Sequence, residues 1–391
     1  MVYLKKTLKF LISYLIYFIL NLIYPILKIR FGRIYATRIG HLCYNVDNYI
    51  SKVKNKKNII TFFCYDEPVS NKFIFDLFKK KKNIFFTNKI RFLYYIIKNI
   101  NSNSRLLVAF FDEMHPRISY TSASKRNLPK IRNYNLLNDF LKENNINENF
   151  ICISNRDNLY LKETKSLDKN FHDFRNFKVN SYDKTIKYLI DNGYSVIRVG
   201  KISENPINIK SDKFIDLTNQ NYNEELQVLL IEKCYFFIGG STGISQIPRL
   251  FRNPCLLINY IPFDLLEMTA WSKNSIFLPK KLFDLNKKKF LSFVEMNNLK
   301  YDIHYKGDFF KDKNLDVIDN SEDEILNSCI EMINFKKNGF LRSEKSIFTQ
   351  NKFWQQFEDN IKLERNIFEI REILNFGISD YFINKNAELL K

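Results

Sequence analysis

Glycine and proline are scarce, with 10 and 9 among 391 residues, so collagen-like and linker-like compositions are excluded. Histidine occurs four times, as His41, His115, His172 and His304. The six cysteines (Cys43, Cys64, Cys152, Cys234, Cys255 and Cys329) show neither CxxC spacing nor a neighbouring Cys/His cluster. A His- or Cys-built metal centre is therefore not expected, and the thiols read as small buried residues of a reducing compartment. Acidic residues are also in deficit: 42 Asp+Glu face 61 Lys+Arg, leaving +19 at pH 7.

A surplus of that size suits nucleic acid, an anionic membrane surface or a phosphate-bearing substrate. The chain is also crowded with Lys, Asn, Ile, Phe and Tyr, a compositional drift that raises Lys without any functional demand. Lysines are spread through the chain and no RRM signature or zinc finger is present, which argues against a nucleic-acid partner. Hydrophobic residues make up 45% and charged residues 26%, the balance of a chain that buries a core. The length suits two or three domains, with two favoured.

From Phe10 to Leu27 the sequence is almost wholly apolar, between Lys5, Lys6 and Lys9 on one side and Lys28, Arg30 and Arg33 on the other. Its length is close to that of a membrane span. Yet Lys6, Lys9, Ser13, Tyr17, Asn21, Tyr24 and Lys28 recur at steps of three and four and form one polar stripe. A helix of this kind lies in the headgroup region with its apolar face down, with a span or a buried core helix as alternatives. No small-residue cleavage site follows, so a cleavable signal peptide is disfavoured.

Beyond residue 30, short β-branched and aromatic runs alternate with helical stretches: 32–37, 58–64, 83–86, 106–111, then 150–154, 194–199, 213–216, 235–238 and 255–258. Such alternation predicts parallel sheets covered by helices, in two doubly wound α/β domains facing across a cleft. The polar stretch 142–149 (KENNINEN) is the expected boundary. In 181–192 a Ser N-cap opens a helix that Gly193 stops.

Candidate chemistry gathers at strand ends. Gly239-Gly240-Ser241-Thr242-Gly243 joins a strand to the helix ISQIPRLF, a place where glycines admit close backbone approach and a helix N-terminus attracts phosphate. It is neither a Walker A loop nor a GxGxxG motif, and a plain tight turn is the competing reading. Arg156, Arg175 and Arg198 lie at or after strands of the second domain, where open α/β sheets bind ligands and where guanidinium forks match phosphate oxygens. In the first domain, Gly40-His41 follows a strand and suits a loop that offers a base. Asp112, Glu113 and His115, and likewise Asp66 and Glu67, occupy comparable places. The residues alone do not choose among them.

In sequence order, RIGHL, SNRDNLYL with a following FRN, GYSVIRVG, FIGGSTGISQIPRLFRNP and Asn259-Tyr260-Ile261-Pro262 resemble a family of bacterial glycosyltransferases associated with surface-polysaccharide gene clusters. The likeness runs from about residue 30 through most of the chain. It also looks distantly similar to fucosyltransferases of the GT-B architecture, in which a His-x-Arg strand-end motif binds the donor diphosphate; here Ser154 stands in place of that His.

The resemblance implies a GT-B enzyme: a membrane-associated helix (1–30), an acceptor-side domain (31–145), a nucleotide-sugar-binding domain (146–340) and a helical tail (341–391) returning toward the first domain. It implies that Arg156, Arg175 and Ser241-Thr242-Gly243 stabilise the departing diphosphate, that Asp216 to Asn219 contact base or ribose, and that Arg38, Gly40 and His41 stand on the acceptor side. His41, Asp112 or Glu113 would deprotonate the acceptor hydroxyl. No Asp-x-Asp motif follows a suitable strand, so transfer is expected to be metal-independent and without a cofactor, with the nucleotide-sugar as substrate; inversion follows from the fucosyltransferase likeness only. The expected acceptor is a surface glycan or its lipid-linked precursor, and the expected place is the cytoplasmic face of the cell membrane, on anionic lipid. An epimerase or hydrolase of sugar nucleotides, a noncatalytic assembly protein and a basic nucleic-acid binder are the alternatives.

Overall fold

A computed structural model describes residues 2–53, 56, 58–109, 114, 126–163, 172–263, 273–299, 308–357 and 375–390. The chain divides into two units, Met1–Ile131 and Arg132–Lys391. The division precedes the expected boundary because the helix Asn135–Glu143 belongs to the second unit, where it packs on the helix Glu224–Lys233.

The first unit opens with a helix, Val2–Ile23. Among the described residues, no helix is long and apolar enough to cross a membrane. Strand β1 (Lys28–Ile34) starts earlier than the sequence suggests and pairs in parallel with β2 (Ile59–Tyr65), which pairs in turn with β3 (Ile84–Phe86). On the other side of β1, the expected strand 106–111 is reduced to one parallel bridge between Phe31 and Leu107, with Phe110 and Phe111 outside the described residues. Phe31, Ile97, Leu106 and Leu107 form the core beneath it, and Tyr17, Leu20 and Tyr24 of the first helix rest on them.

The second unit is built on seven parallel strands: β4 (Phe150–Ile153), β5 (Ser195–Arg198), β6 (Phe214–Asp216), β7 (Phe237–Gly239), β8 (Cys255–Tyr260), β9 (Ile276–Pro279) and β13 (Gly377–Ile378). They run in the order β13-β9-β8-β7-β4-β5-β6. Strands β4, β5, β7, β8 and β9 are buried at every position, as a sheet covered on both faces requires. A small antiparallel sheet of β10 (Lys281–Asp284), β11 (Lys289–Phe290) and β12 (Leu315–Ile318) follows β9. All six cysteines are buried free thiols.

Local chemistry places the helices. Asn223 caps the helix Glu224–Lys233 by accepting from the Leu226 N–H at 3.0 Å. The expected helix after 181 begins at Asp183, because Ser181 lies in a preceding 3-10 turn and turns its hydroxyl back to the Lys178 carbonyl. Gly193 (φ 86°) does end it, with Tyr194 N–H reaching the Leu189 carbonyl at 3.0 Å in a Schellman closure.

The described tail pairs with the large sheet: Gly377 and Ile378 lie against Ile276 and Phe277. Half-buried Glu331 fastens this edge by accepting from Ser379 Oγ (2.8 Å), Asp380 N–H (3.1 Å) and Tyr381 N–H (3.3 Å). Burial, and then the neighbouring Asp380 charge, push the Glu331 carboxyl up to about 7. The native state therefore holds a proton that the unfolded chain, titrating near pH 4.3, releases. Stability from this group is full at acid pH and is lost as pH rises through about 7. Between pH 5 and 8 the wild type should lose on the order of 2 kcal/mol more than Glu331→Gln; parallel urea-unfolding profiles for the two proteins would contradict this.

Candidate functional site

Counting from β4, the large sheet has strand order 3-2-1-4-5-6-7. The chain moves outward through β5 and β6, then crosses back to lay β7 beside β4. At such a reversal the loops after the two adjoining strands diverge and leave a crevice at their carboxyl ends. Here those loops are Ser154-Asn155-Arg156-Asp157 and Gly240-Ser241-Thr242-Gly243.

The loop after β4 is held from both sides of Arg156. Asn155 Oδ1 accepts from Arg198 Nε (3.2 Å) and Nη2 (2.7 Å). Asp157 accepts from Ser203 Oγ (2.6 Å), Glu204 N–H (3.0 Å) and Leu159 N–H (3.1 Å). Arg156 is half-buried between these anchors, and its carbonyl accepts from Phe177 N–H at 3.3 Å. Arg175 is also half-buried, in the short 3-10 turn Asp173–Arg175, with its guanidinium over the Phe174 ring. Phe177, two residues on, packs against Gly240, where an added Cβ would lie 2.9 Å from its ring. The structure thus brings the Arg156 loop, the Arg175–Phe177 segment and the glycine loop together.

Arg198 does not share that accessibility, which corrects the expectation that it binds donor. It is fully buried, and its remaining N–H groups go to Asn205 O (3.0 Å), Asp216 Oδ2 (2.8 Å) and Ser203 Oγ (2.5 Å). All five guanidinium donors are met by the protein, so Arg198 positions Asn155 and thereby Arg156. Asp216 is corrected likewise: one carboxylate oxygen takes Arg198 and the other takes Thr218 N–H (2.9 Å) and Oγ1 (2.6 Å).

The glycine loop combines the two competing readings. Neither Gly239 nor Gly240 has positive φ; a Cβ at Gly239 would lie 2.7 Å from the Phe237 ring and 2.8 Å from Ser154 Oγ, so close packing is the local demand. The hydroxyls brace the loop: Ser241 Oγ accepts from Ile261 N–H (3.2 Å), Ser245 Oγ donates to the Gly240 carbonyl (2.8 Å), and Thr242 Oγ1 meets Ser245 Oγ (3.1 Å). The following helix is shorter than expected, Gln246–Phe251. Among the described residues the N–H groups of Ser241 and Gly243 carry no hydrogen bond. Ser154, 1% exposed at the end of β4, has a hydroxyl without a hydrogen-bond partner. The loop therefore offers an anion backbone donors more than side-chain hydroxyls.

Sequence reasoning missed Lys280. It directly follows β9, is 2% exposed, and bridges the Asn176 carbonyl (2.6 Å) to Asp319 (2.7 Å). Burial lowers its pKa against the opposing pull of Asp319. Its neighbour Asn320 exchanges 2.6 Å hydrogen bonds with Asn259 at the end of β8. Nothing in LPKKLF sets this lysine apart from the many others.

In the first unit, Gly40 and His41 do not form a loop: they occupy the first turn of the helix Ile39–Val53, directly after exposed Arg38. His41 Nδ1 lies 3.0 Å from Asn45 Oδ1, whose amide donates to the Met114 carbonyl. Tyr44 Oη lies 3.4 Å from the same ring nitrogen. Asp66 is held by Arg33 at 3.1 Å and faces Arg91 at 3.9 Å, which makes it a structural carboxylate, while Glu67 is exposed. Asp112, Glu113 and His115 lie outside the described residues. Among the described residues, no group of three or more His, Cys, Asp or Glu side chains is placed to hold a metal ion.

No protein-family model matches the chain, and no curated protein does. Solved structures similar to it include E. coli ADP-heptose LPS heptosyltransferase II, at 9% identity and TM-score 0.47, covering 79% of this chain and 100% of that one. A glycosyl transferase of family 9 from Veillonella parvula is similar at 10% identity and TM-score 0.48, covering 78% and 97%. The iron-containing dodecameric glycosyltransferase TibC from enterotoxigenic E. coli is similar at 13% identity and TM-score 0.36, covering 59% of this chain; the chain spans 57% of the length of TibC.

Proposed function

We propose that the protein is a glycosyltransferase that moves a sugar from a nucleotide-sugar to a surface glycan or its lipid-linked precursor at the cytoplasmic face of the cell membrane. The observation that carries this reading is the reversal of strand order at β4/β7, which puts the Arg156 loop and the glycine loop with its backbone donors at adjacent carboxyl ends. The order of sequence motifs from RIGHL to the Asn259-Tyr260-Ile261-Pro262 run supports it.

In this reading the donor diphosphate lies across the two loops. As the bond from the sugar's anomeric carbon to the phosphate oxygen breaks, its electron pair stays on the diphosphate, and Arg156 and Arg175 compensate the growing charge. The acceptor oxygen forms the new bond from the opposite face, giving inversion, and its proton passes to a general base. Guanidinium charge takes the part a divalent cation plays elsewhere.

Thermal unfolding of the full chain with ADP-, UDP-, GDP-, CMP- and dTDP-sugars tests the donor assignment. One base class should stabilise the protein by about 2.7 kcal/mol at 100 times its Kd. The absence of stabilisation by every nucleotide-sugar and every free nucleotide would count against it. Consumption of the selected donor with no acceptor present would replace transfer by hydrolysis or epimerisation.

A further inference from the structure

The N-terminal helix is mounted inside out. From residue 11 onward, Ser13, Ile16, Tyr17, Leu20, Asn21 and Tyr24 are its partly buried positions, whereas Leu11, Ile12, Tyr14, Leu15, Phe18, Ile19, Leu22 and Ile23 are exposed. At 100° per residue the exposed positions fill one continuous half of the helix. From Ser13 to Tyr24 the polar stripe is thus consumed by the protein. Tyr17 donates to Ser104 Oγ (3.4 Å), and Arg105 reaches the Asn21 side chain (3.3 Å) and carbonyl (3.1 Å) and covers the Tyr24 ring. A helix on a protein in water shows the opposite arrangement, apolar side inward. Leu15, Phe18 and Leu22 are 58%, 64% and 68% exposed, and Ile26, just past the helix, is 81% exposed. A continuous apolar surface of this kind marks an interaction site.

Charge selects the occupant. The first 46 residues contain Lys5, Lys6, Lys9, Lys28, Arg30, Arg33 and Arg38 and not one Asp or Glu. We propose that the exposed half of the helix from Leu11 to Ile23 inserts in the plane of an anionic lipid bilayer, its apolar side chains in the acyl boundary and the flanking basic charge drawn to the headgroups. The stripe residues Tyr17, Asn21 and Tyr24, which would face water on a free amphipathic helix, instead fasten the helix to the first unit. Membrane binding therefore orients the first unit rigidly and does not merely tether it. This inference stands apart from the donor-site reading, since lipid binding and nucleotide binding are measured separately.

Sedimentation of the full chain with phosphatidylcholine vesicles containing phosphatidylglycerol, against phosphatidylcholine alone, tests it. Binding is expected to the anionic vesicles, to weaken with salt, and to fall at least about tenfold in the double variant Phe18→Glu, Leu22→Glu. The unfolding midpoint of that variant should not move, because both side chains are exposed. Leu341→Glu, an equally exposed leucine of the second unit, should bind as the wild type does. Absence of binding to either vesicle overturns the proposal, as does binding that the double variant leaves intact. A concentration-dependent dimer abolished by the same pair, with no vesicle binding, assigns the face to a second copy and also overturns it.

Discussion

Arg156→Ala is expected to weaken nucleotide-sugar binding by about 100-fold or more, the loss of two charge-assisted hydrogen bonds to phosphate, and to abolish transfer with it. Arg156 is half-buried on a loop whose flanking residues are independently anchored through Arg198, Ser203 and Leu159. Urea unfolding of the same variant separates a lost ligand contact from a loss of fold. Arg156→Lys should restore only part of the affinity, because an ammonium supplies charge without the planar fork. Titration calorimetry with the nucleotide selected by thermal shift separates the outcomes. Unchanged affinity in the alanine variant would remove Arg156 from the site.

Arg198→Ala should behave in the opposite way, costing stability first. Its guanidinium joins Asn155, Ser203, Asn205 and Asp216 in one buried network, and truncation leaves the Asp216 carboxylate and the Asn155 oxygen without their cationic partner. The expected loss is about 3 kcal/mol, read as a lower urea midpoint. Donor affinity should fall as well, because Asn155 no longer fixes the Arg156 loop. The stability readout distinguishes a positioning residue from a ligand-binding one: an Arg198→Ala protein as stable as wild type, yet deficient in donor binding, would restore Arg198 to direct contact with donor.

That pair of arginines also shows how far the sequence could be read. Both stand at strand ends and both suit phosphate, and nothing in SNRDN or SVIRVG tells them apart. The distinction comes from neighbours distant in the chain, Asn155, Ser203 and Asp216, that satisfy every donor of Arg198. Strands rich in Ile, Val, Phe and Cys with turn residues between them were legible because burial on both faces of a parallel sheet demands continuous apolar runs. Strands β10 to β12 and the edge strand β13 were not, whereas β9 has the same buried apolar run and lies outside the strands expected from the sequence. β10 and β12 keep exposed or half-exposed positions, β11 and β13 are two residues each, and their pairing is set by tertiary contact.

The GGSTG loop was legible as a strand-to-helix turn, but its glycines answer to Phe237, Ser154 and Phe177 across the loop, contacts with no local signature. Lys280 was invisible for the same reason. The N-terminal stripe has the periodicity of an amphipathic helix, but its residues Tyr17, Asn21 and Tyr24 meet Ser104 and Arg105 instead of water. That outcome depends on a surface nearly 90 residues away in sequence.

The charge surplus now resolves into distinct uses. Arg198, Lys280 and Lys281 are bound within the second unit by Asp216, Asp319 and Glu324. The basic, acid-free first 46 residues surround an exposed apolar helix. Arg156 and Arg175 stand beside the β4/β7 reversal.

The central claim is that the carboxyl ends of β4 and β7 hold a nucleotide diphosphate. A crystal structure of the full chain with the nucleotide-sugar that most raises its unfolding temperature tests this most directly. The account predicts diphosphate oxygens within hydrogen-bond distance of the Arg156 guanidinium and of the Ser241 or Gly243 N–H. A nucleotide bound elsewhere on the second unit, with both loops unoccupied, would contradict it.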